Sequence, residues 1–132
     1  MSFNRKVMFS SHSPEWQTPK CVMEELEEEF AGFDLDPCPI DHTVDGLTIP
    51  WEGKVYVNPP YGREIGRWIK KGYESAKAGA LVVMLIPSRT DTIWWHNYVM
   101  KSDEIRFIKG RLCFSGYPTG APFPSCIVIF AE

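Results

Sequence analysis

From Ala80 to Ile86 seven residues in succession are apolar (Ala-Leu-Val-Val-Met-Leu-Ile). The run is far short of the ~20 residues a membrane-spanning helix needs. It also lacks the alternation of a strand with one wet face. It therefore reads as a strand buried on both faces, the kind that parallel sheets carry with helices packed on each side. The neighbouring segments agree. Lys54 to Asn58 (Lys-Val-Tyr-Val-Asn) and Phe33 to Asp36 are shorter strand candidates, each stopped by prolines. Ile65, Trp68, Ile69 and Tyr73 fall at helical spacing, with Arg63, Arg67, Lys70 and Lys71 around them. An earlier helix opens at Thr18, a hydroxyl cap followed by Pro19 at the first helical position. It continues through Val22, Met23, Leu26 and Phe30, has Glu24, Glu25, Glu27, Glu28 and Glu29 on its wet side, and ends at Gly32. Thr92 to Met100 reads as a short aromatic-rich helix. Ile105 to Ile108, Arg111 to Phe114 and Cys126 to Phe130 read as strands, the first two joined by a turn at Lys109-Gly110. Alternating helices and strands followed by a hairpin predict an α/β fold: a mostly parallel sheet, helices outside, and an antiparallel edge hairpin.

At 132 residues the chain has room for one domain. Residues 1–13 read as a flexible arm and 14–132 as the domain. No apolar stretch near the start is long enough for a secretory signal, so membrane and secreted classes are not expected. The net charge of −3 conceals a partition: residues 1–52 carry −8 and residues 53–132 carry +5. The second part can present a positive face to a polyanion despite the total. Cys21, Cys38, Cys113 and Cys126 have no C-x-x-C spacing. Cys38 and His42 lack a matching second half of a zinc site, so no metal is expected.

Asn58-Pro59-Pro60-Tyr61 follows the Lys54 strand directly, at the carboxyl end where open α/β sheets place ligands. A turn accounts for Asn-Pro but not for the second proline and the aromatic. The tetrapeptide suits alkylation of an amino group conjugated to a ring or carbonyl. Such a nitrogen is a poor nucleophile because its lone pair is delocalised. Two acceptors aimed at its hydrogens draw it towards a tetrahedral, reactive state. Asn58 can offer its amide oxygen and Pro59 its carbonyl, which proline's fixed φ holds rigid. Tyr61 offers a flat surface for a planar substrate, worth about 1–3 kcal/mol for a nucleobase.

With these residues the chain resembles the phage-type DNA N6-adenine methyltransferases of the Dam family. The resemblance runs from about Pro14 to Phe130. It includes Trp16-Gln17-Thr18-Pro19, Asp34-Leu35-Asp36-Pro37-Cys38, Asp45-Gly46-Leu47 with Trp51, and Asn58-Pro59-Pro60-Tyr61-Gly62-Arg63. Downstream it continues through Pro87-Ser88-Arg89-Thr90-Asp91-Thr92, Trp95-His96, Ile105-Arg106-Phe107, Gly110-Arg111 and Ala121-Pro122-Phe123-Pro124-Ser125.

The resemblance implies a minimal Rossmann-like fold, S-adenosylmethionine as methyl donor and adenine in DNA as acceptor. Trp16, Thr18 and Pro19 would line the donor's methionine end. Asp36, Pro37 and Cys38 would form the donor-binding strand end, Asp45 would receive the donor's adenine amino group, and Asn58 would touch donor and acceptor alike. Only 21 residues, 37–57, separate Asp36 from Asn58, too few for a separate target-recognition domain. A duplex hides the adenine amino group, so the base must be flipped out or presented on a single strand. Arg63, Arg67, Lys70, Lys71, Arg89, Lys109 and Arg111 are the candidates for phosphate contacts. Trp94, Trp95 and His96 are candidates for a rim around the base, with one tryptophan reserved for the core. The expected setting is the cytoplasm of a host cell carrying the phage or prophage. A homodimer is plausible because DNA-binding modules bury roughly 600–1,000 Å² or more. Two alternatives remain: the same chemistry on RNA adenine or protein glutamine, and a non-catalytic nucleic-acid-binding relative.

Overall fold

The computed structural model describes residues 17–39, 45–114 and 120–132. In chain order the elements are α1 (Lys20–Phe30), β1 (Lys54–Val57), α2 (Ile65–Lys77), β2 (Leu81–Pro87), α3 (Ile93–Asn97), β3 (Glu104–Phe107) and β4 (Ser125–Phe130). Short 3₁₀ turns lie at Gly46–Thr48 and Val99–Lys101. The four strands form one sheet in the order β1-β2-β4-β3. β1 and β2 are parallel, with Lys54 opposite Leu81 and Val57 opposite Met84. β4 is antiparallel to both its neighbours. Three strands thus run one way, and the reversed strand lies inside the sheet between β2 and β3.

That arrangement corrects the expected topology of a mostly parallel sheet with an edge hairpin. Arg111–Phe114 is not a strand, and β3 pairs with β4 instead, Phe107 opposite Cys126. The reason is burial. Every residue of β4 is buried, which demands a paired neighbour on each side. Arg111, Leu112 and Cys113, two of them exposed, cannot meet that demand. They meet residues 120–121 instead: Ala121 N–H donates to the Leu112 carbonyl at 2.8 Å. The candidate strand at Phe33–Asp36 shrinks to a single parallel bridge between Leu35 and Val55. Next to that bridge the Asp34 carboxylate takes the Lys54 N–H at 2.8 Å, and beyond it Pro37 cannot donate to a ladder.

The register sorts side chains onto two faces. Val82, Met84 and Ile86 share one face with Phe130, Val128 and Cys126 opposite them. α2 packs there so closely that a Cβ at Gly72 would lie 2.9 Å from Met84 Sδ. α3 joins the same face through Trp95, which stacks on Phe107 at 6.4 Å. Tyr56, Val83, Leu85, Ile127 and Ile129 point the other way. α1 covers part of that face, Phe30 meeting Phe33 and Phe33 meeting Tyr56 at ring distances of 5.8 and 5.5 Å. Val82 to Ile86 therefore have no exposed surface. Among the described residues no helix is long and apolar enough to cross a membrane.

Two local expectations also change. Pro19, not Thr18, occupies the N-cap of α1 and makes no side-chain cap bond. The Thr18 hydroxyl is bonded elsewhere, as described below. At the other end Ala31, not Gly32, is the first left-handed residue (φ 60°), and Gly32 follows at φ 85°. α3 covers only part of the Thr92–Met100 segment, with Thr92 Oγ1 accepting the Trp95 N–H at 3.2 Å.

Two contacts tie distant segments together. Arg106 donates from both terminal nitrogens to the Glu29 carboxylate (2.6 and 2.5 Å) and from Nε to Glu104 (2.6 Å), fastening β3 to α1. The 3₁₀ turn at Gly46 lies against Pro37. A Cβ at Gly46 would run into the Pro37 carbonyl and the Trp68 ring.

Both contacts are testable. Gly46→Ala is expected to destabilise the protein by about 1–3 kcal/mol, as overpacking does, and an unchanged denaturation midpoint would contradict the packing. The hydrogen bonds from Arg106 hold the Glu29 carboxyl below its usual pKa. A lowered carboxyl stabilises the fold above the unfolded pKa and ceases to do so as pH falls through the folded value. Arg106→Gln should therefore lower the thermal midpoint at pH ~7 and matter progressively less on acidification below pH ~4.5. An equal deficit throughout would contradict the ion pair.

Candidate active site

Because β1 and β2 are covered on both faces, polar groups gather where the strands end. β1 stops at Val57, and Asn58 and Pro59 leave its carboxyl end. Asn58 is half-buried, Pro59 buried and Pro60 half-buried. Asn58 Nδ2 donates to Thr18 Oγ1 at 3.1 Å, and Thr18 Oγ1 lies 2.7 Å from the Tyr56 hydroxyl. The amide oxygen of Asn58 is screened from water. Burial pushes the Tyr56 phenol well above the usual tyrosine range, with Thr18 opposing and Asp36 reinforcing the shift. The group stays protonated at any physiological pH.

Tyr61 is only 7 % exposed. Its hydroxyl donates to the Leu85 carbonyl of β2 at 3.0 Å. Phe123 and Phe114 meet its ring edge-on at 5.4 and 6.3 Å. In this conformation the ring braces the Pro59-Pro60 turn against β2. Burial raises its pKa well above the ordinary value, so the phenol remains a donor. Cys126 on β4 is likewise pushed up to about 11 by burial, with the neighbouring Ser88 hydroxyl opposing the shift.

The second half of the site lies beside β1. Asp36 is exposed, and its Oδ1 accepts the Cys38 N–H at 3.0 Å in a tight turn that buries Pro37 and Cys38. Asp45 caps the 3₁₀ turn, its Oδ1 accepting the Leu47 N–H at 3.0 Å. Gly46, packed under Pro37, brings the Asp45 and Asp36 segments together. Pro19 is buried and Thr18 half-buried on the same side. Trp16 lies outside the described residues.

The basic candidates separate into groups. Arg63 and Lys70 are exposed on and before α2, as is Arg67, which is paired with Glu64 at 2.6 Å. Lys71 is turned inward: Nζ donates to the Leu47 carbonyl at 3.1 Å and lies 5.7 Å from the Trp51 ring. Its charge holds the Asp45 loop. Arg89 lies over the Phe123 ring at 5.9 Å, and Arg111 donates to the Ala121 carbonyl at 3.4 Å. Both therefore belong to the aromatic side of the site, near Tyr61. Lys109 is exposed next to the turn at Gly110. Trp95 is the core tryptophan, while half-buried Trp94 rests on Gly66 in the first turn of α2. His96 bonds the Thr90 carbonyl at 2.9 Å, tying α3 to the loop after β2.

Tyr56, Phe114 and Phe123 are site neighbours that residue-type reasoning passed over. Tyr56 carried a signal, since a tyrosine inside an apolar strand needs a partner for its hydroxyl. Phe114 carried none. Among the described residues no three His, Cys, Asp or Glu side chains gather as a metal site.

Known proteins supply an independent comparison. A family model described as DNA N-6-adenine-methyltransferase (Dam) matches residues 8–125. The DNA N-6-adenine-methyltransferase of Haemophilus phage HP1 (strain HP1c1) is 30% identical over 118 residues, covering 80% of this chain and 68% of that protein. A protein of the same description from Escherichia phage T1 is 28% identical over 109 residues, covering 74% of this chain and 45% of its own length. No solved structure matches the chain. With the family model spanning most of its length, the chain belongs to the DNA N-6-adenine-methyltransferase (Dam) family.

Proposed function

We propose that this protein transfers a methyl group from S-adenosylmethionine to the N6 amino group of adenine in DNA, with the base flipped out of the helix. The observation that carries the reading is Asn58-Pro59 leaving the carboxyl end of β1 with the Asn58 amide already held by Thr18. The phage relatives' descriptions favour DNA adenine as the acceptor. The sheet order and the helices on both faces agree with a small Rossmann-like methyltransferase domain.

The chemistry follows from the acceptors. Adenine's N6 lone pair is delocalised into the ring and attacks poorly. Asn58 Oδ1 and the Pro59 carbonyl accept its two hydrogens, which favours the pyramidal nitrogen of the transition state over the planar ground state. No strong base is required, because the nitrogen becomes acidic on alkylation. The Asn58 oxygen is dry, so its hydrogen bond to substrate is stronger than in water. Entry of a base requires the side chains around it to part. Tyr61, braced by Phe114, Phe123 and Leu85, then presents what face opens to the incoming ring.

The strand-end residues fit the donor. Its ribose diol and adenine amino group need acceptors, and Asp36 and Asp45 supply carboxylates there. Thr18, Pro19, Pro37 and Cys38 form the surrounding wall. When bound, S-adenosylmethionine would supply an electrophilic methyl group for the substrate nitrogen. Arg63, Arg67, Lys70, Arg89, Lys109 and Arg111 are free of deep burial and suit phosphates on either side of the flipped base.

Asn58→Ala should reduce methyl transfer to DNA by about 10²–10³ or more, the usual cost of one preorganised transition-state partner. Donor binding, followed by calorimetry, should persist. A variant that still methylates would remove Asn58 from the site. Asp36→Ala should weaken donor binding about tenfold or more, since hydrogen bonds to charged groups are worth about 1.5–3 kcal/mol. Unchanged affinity would exclude Asp36.

A further inference from the structure

Thr18 sits where a helix cap would be expected, yet Pro19 takes the N-cap position. It reaches across 38 and 40 residues of sequence to Tyr56 and Asn58. These two bonds link it to the side chain at the site and to the sheet behind it.

An asparagine amide has a donor end and an acceptor end of nearly equal size, and a half-turn exchanges them. Only the acceptor end serves the proposed reaction. Turned round, Nδ2 would oppose the hydrogens of the adenine amino group. Thr18 Oγ1 takes the Nδ2 hydrogen at 3.1 Å and so turns Oδ1 away from itself. A hydroxyl alone would not fix this choice, because it can donate to Oδ1 as readily as accept from Nδ2. Tyr56 Oη, 2.7 Å away, offers a second site for Thr18's single proton, and a Thr18 that donates there can only accept from Asn58. Tyr56 is itself fixed, being 2 % exposed and in register with Val83 at the centre of the sheet.

We propose that Thr18, backed by Tyr56, is a positioning residue that decides which end of the Asn58 amide faces the substrate. The hydrogen bonds run Asn58 Nδ2–H to Thr18 Oγ1, and Thr18 Oγ1–H to Tyr56 Oη. The inference rests on the reading of Asn58 as the acceptor for the adenine amino group. It gives Thr18 a task separate from lining the donor's methionine end. It also gives Tyr56 a role in turnover although Tyr56 touches neither reactant.

The test uses the full chain with Thr18→Val, Thr18→Ser, Tyr56→Phe and Asn58→Ala. Three properties are measured: single-turnover methyl transfer to DNA at saturating S-adenosylmethionine, donor Kd by calorimetry, and the side-chain amide signals in a 15N–1H spectrum. Loss of signal in Asn58→Ala identifies the Asn58 pair. Thr18→Val should slow transfer about tenfold or more even at saturating S-adenosylmethionine, in line with a lost buried hydrogen bond. It should also displace the Asn58 signals, and Thr18→Ser should restore both. Tyr56→Phe should slow transfer and displace the same signals with Thr18 intact, and its thermal midpoint separates this from unfolding. Thr18→Val with wild-type transfer, with unmoved Asn58 signals, or with its whole loss in donor Kd overturns the proposal. An active Asn58→Ala variant instead overturns the underlying reading of the site, while the amide spectrum still reports on orientation.

Discussion

With Val82 to Ile86 inaccessible on both sides, the centre of the sheet has no open face. α2 and α3 occupy one face and α1 covers part of the other, and at β1 and β2 the described polar groups lie at the strand ends. The parallel pairing of β1 with β2 aligns their carboxyl ends, and Asn58 leaves β1 at that edge. Tyr61 then ties the turn back to Leu85 in β2. The Asn58–Tyr61 turn is thus anchored to a strand whose residues Val82 to Ile86 have no exposed surface. This is how a short loop containing two prolines obtains the rigidity that preorganised hydrogen bonding demands.

The segments flanking the turn are held by interactions of a different kind. Asp34, Asp36 and Asp45 all take nearby backbone N–H groups, fixing the loops beside β1. Lys71 and Trp51 hold the Asp45 loop from the α2 side. The uneven distribution of charge along the sequence is partly structural: Glu29 of the acidic helix is answered by Arg106 of the basic second part. Arg63, Arg67, Lys70, Arg89, Lys109 and Arg111 stay exposed before and along α2 and in the loops after β2 and β3.

Much of this was legible in the residues. The apolar run gave β2 within a residue at either end, and the spacing of Ile65, Trp68 and Ile69 gave the buried stripe of α2. Asn58-Pro59-Pro60-Tyr61 stood out because no packing argument required it. What was not legible depended on partners distant in sequence. β4 lies between β2 and β3 because its own burial needs two neighbours, and local pattern cannot say which two. Thr18 looked like a cap because Thr-Pro before a helical stripe has that meaning locally. Asn58 and Tyr56, some forty residues away, claimed the hydroxyl instead. Lys71 has the same charge as Lys70 on the same helix, and only the fold distinguishes the inward lysine from the outward one.

The central claim concerns the atom that receives the methyl group. Incubation of the purified protein with DNA and isotopically labelled S-adenosylmethionine, followed by digestion and mass analysis of the nucleosides, reads that atom directly. The account predicts label in N6-methyl-2′-deoxyadenosine. Label found instead in RNA adenine, in protein glutamine or in no product at all would contradict it.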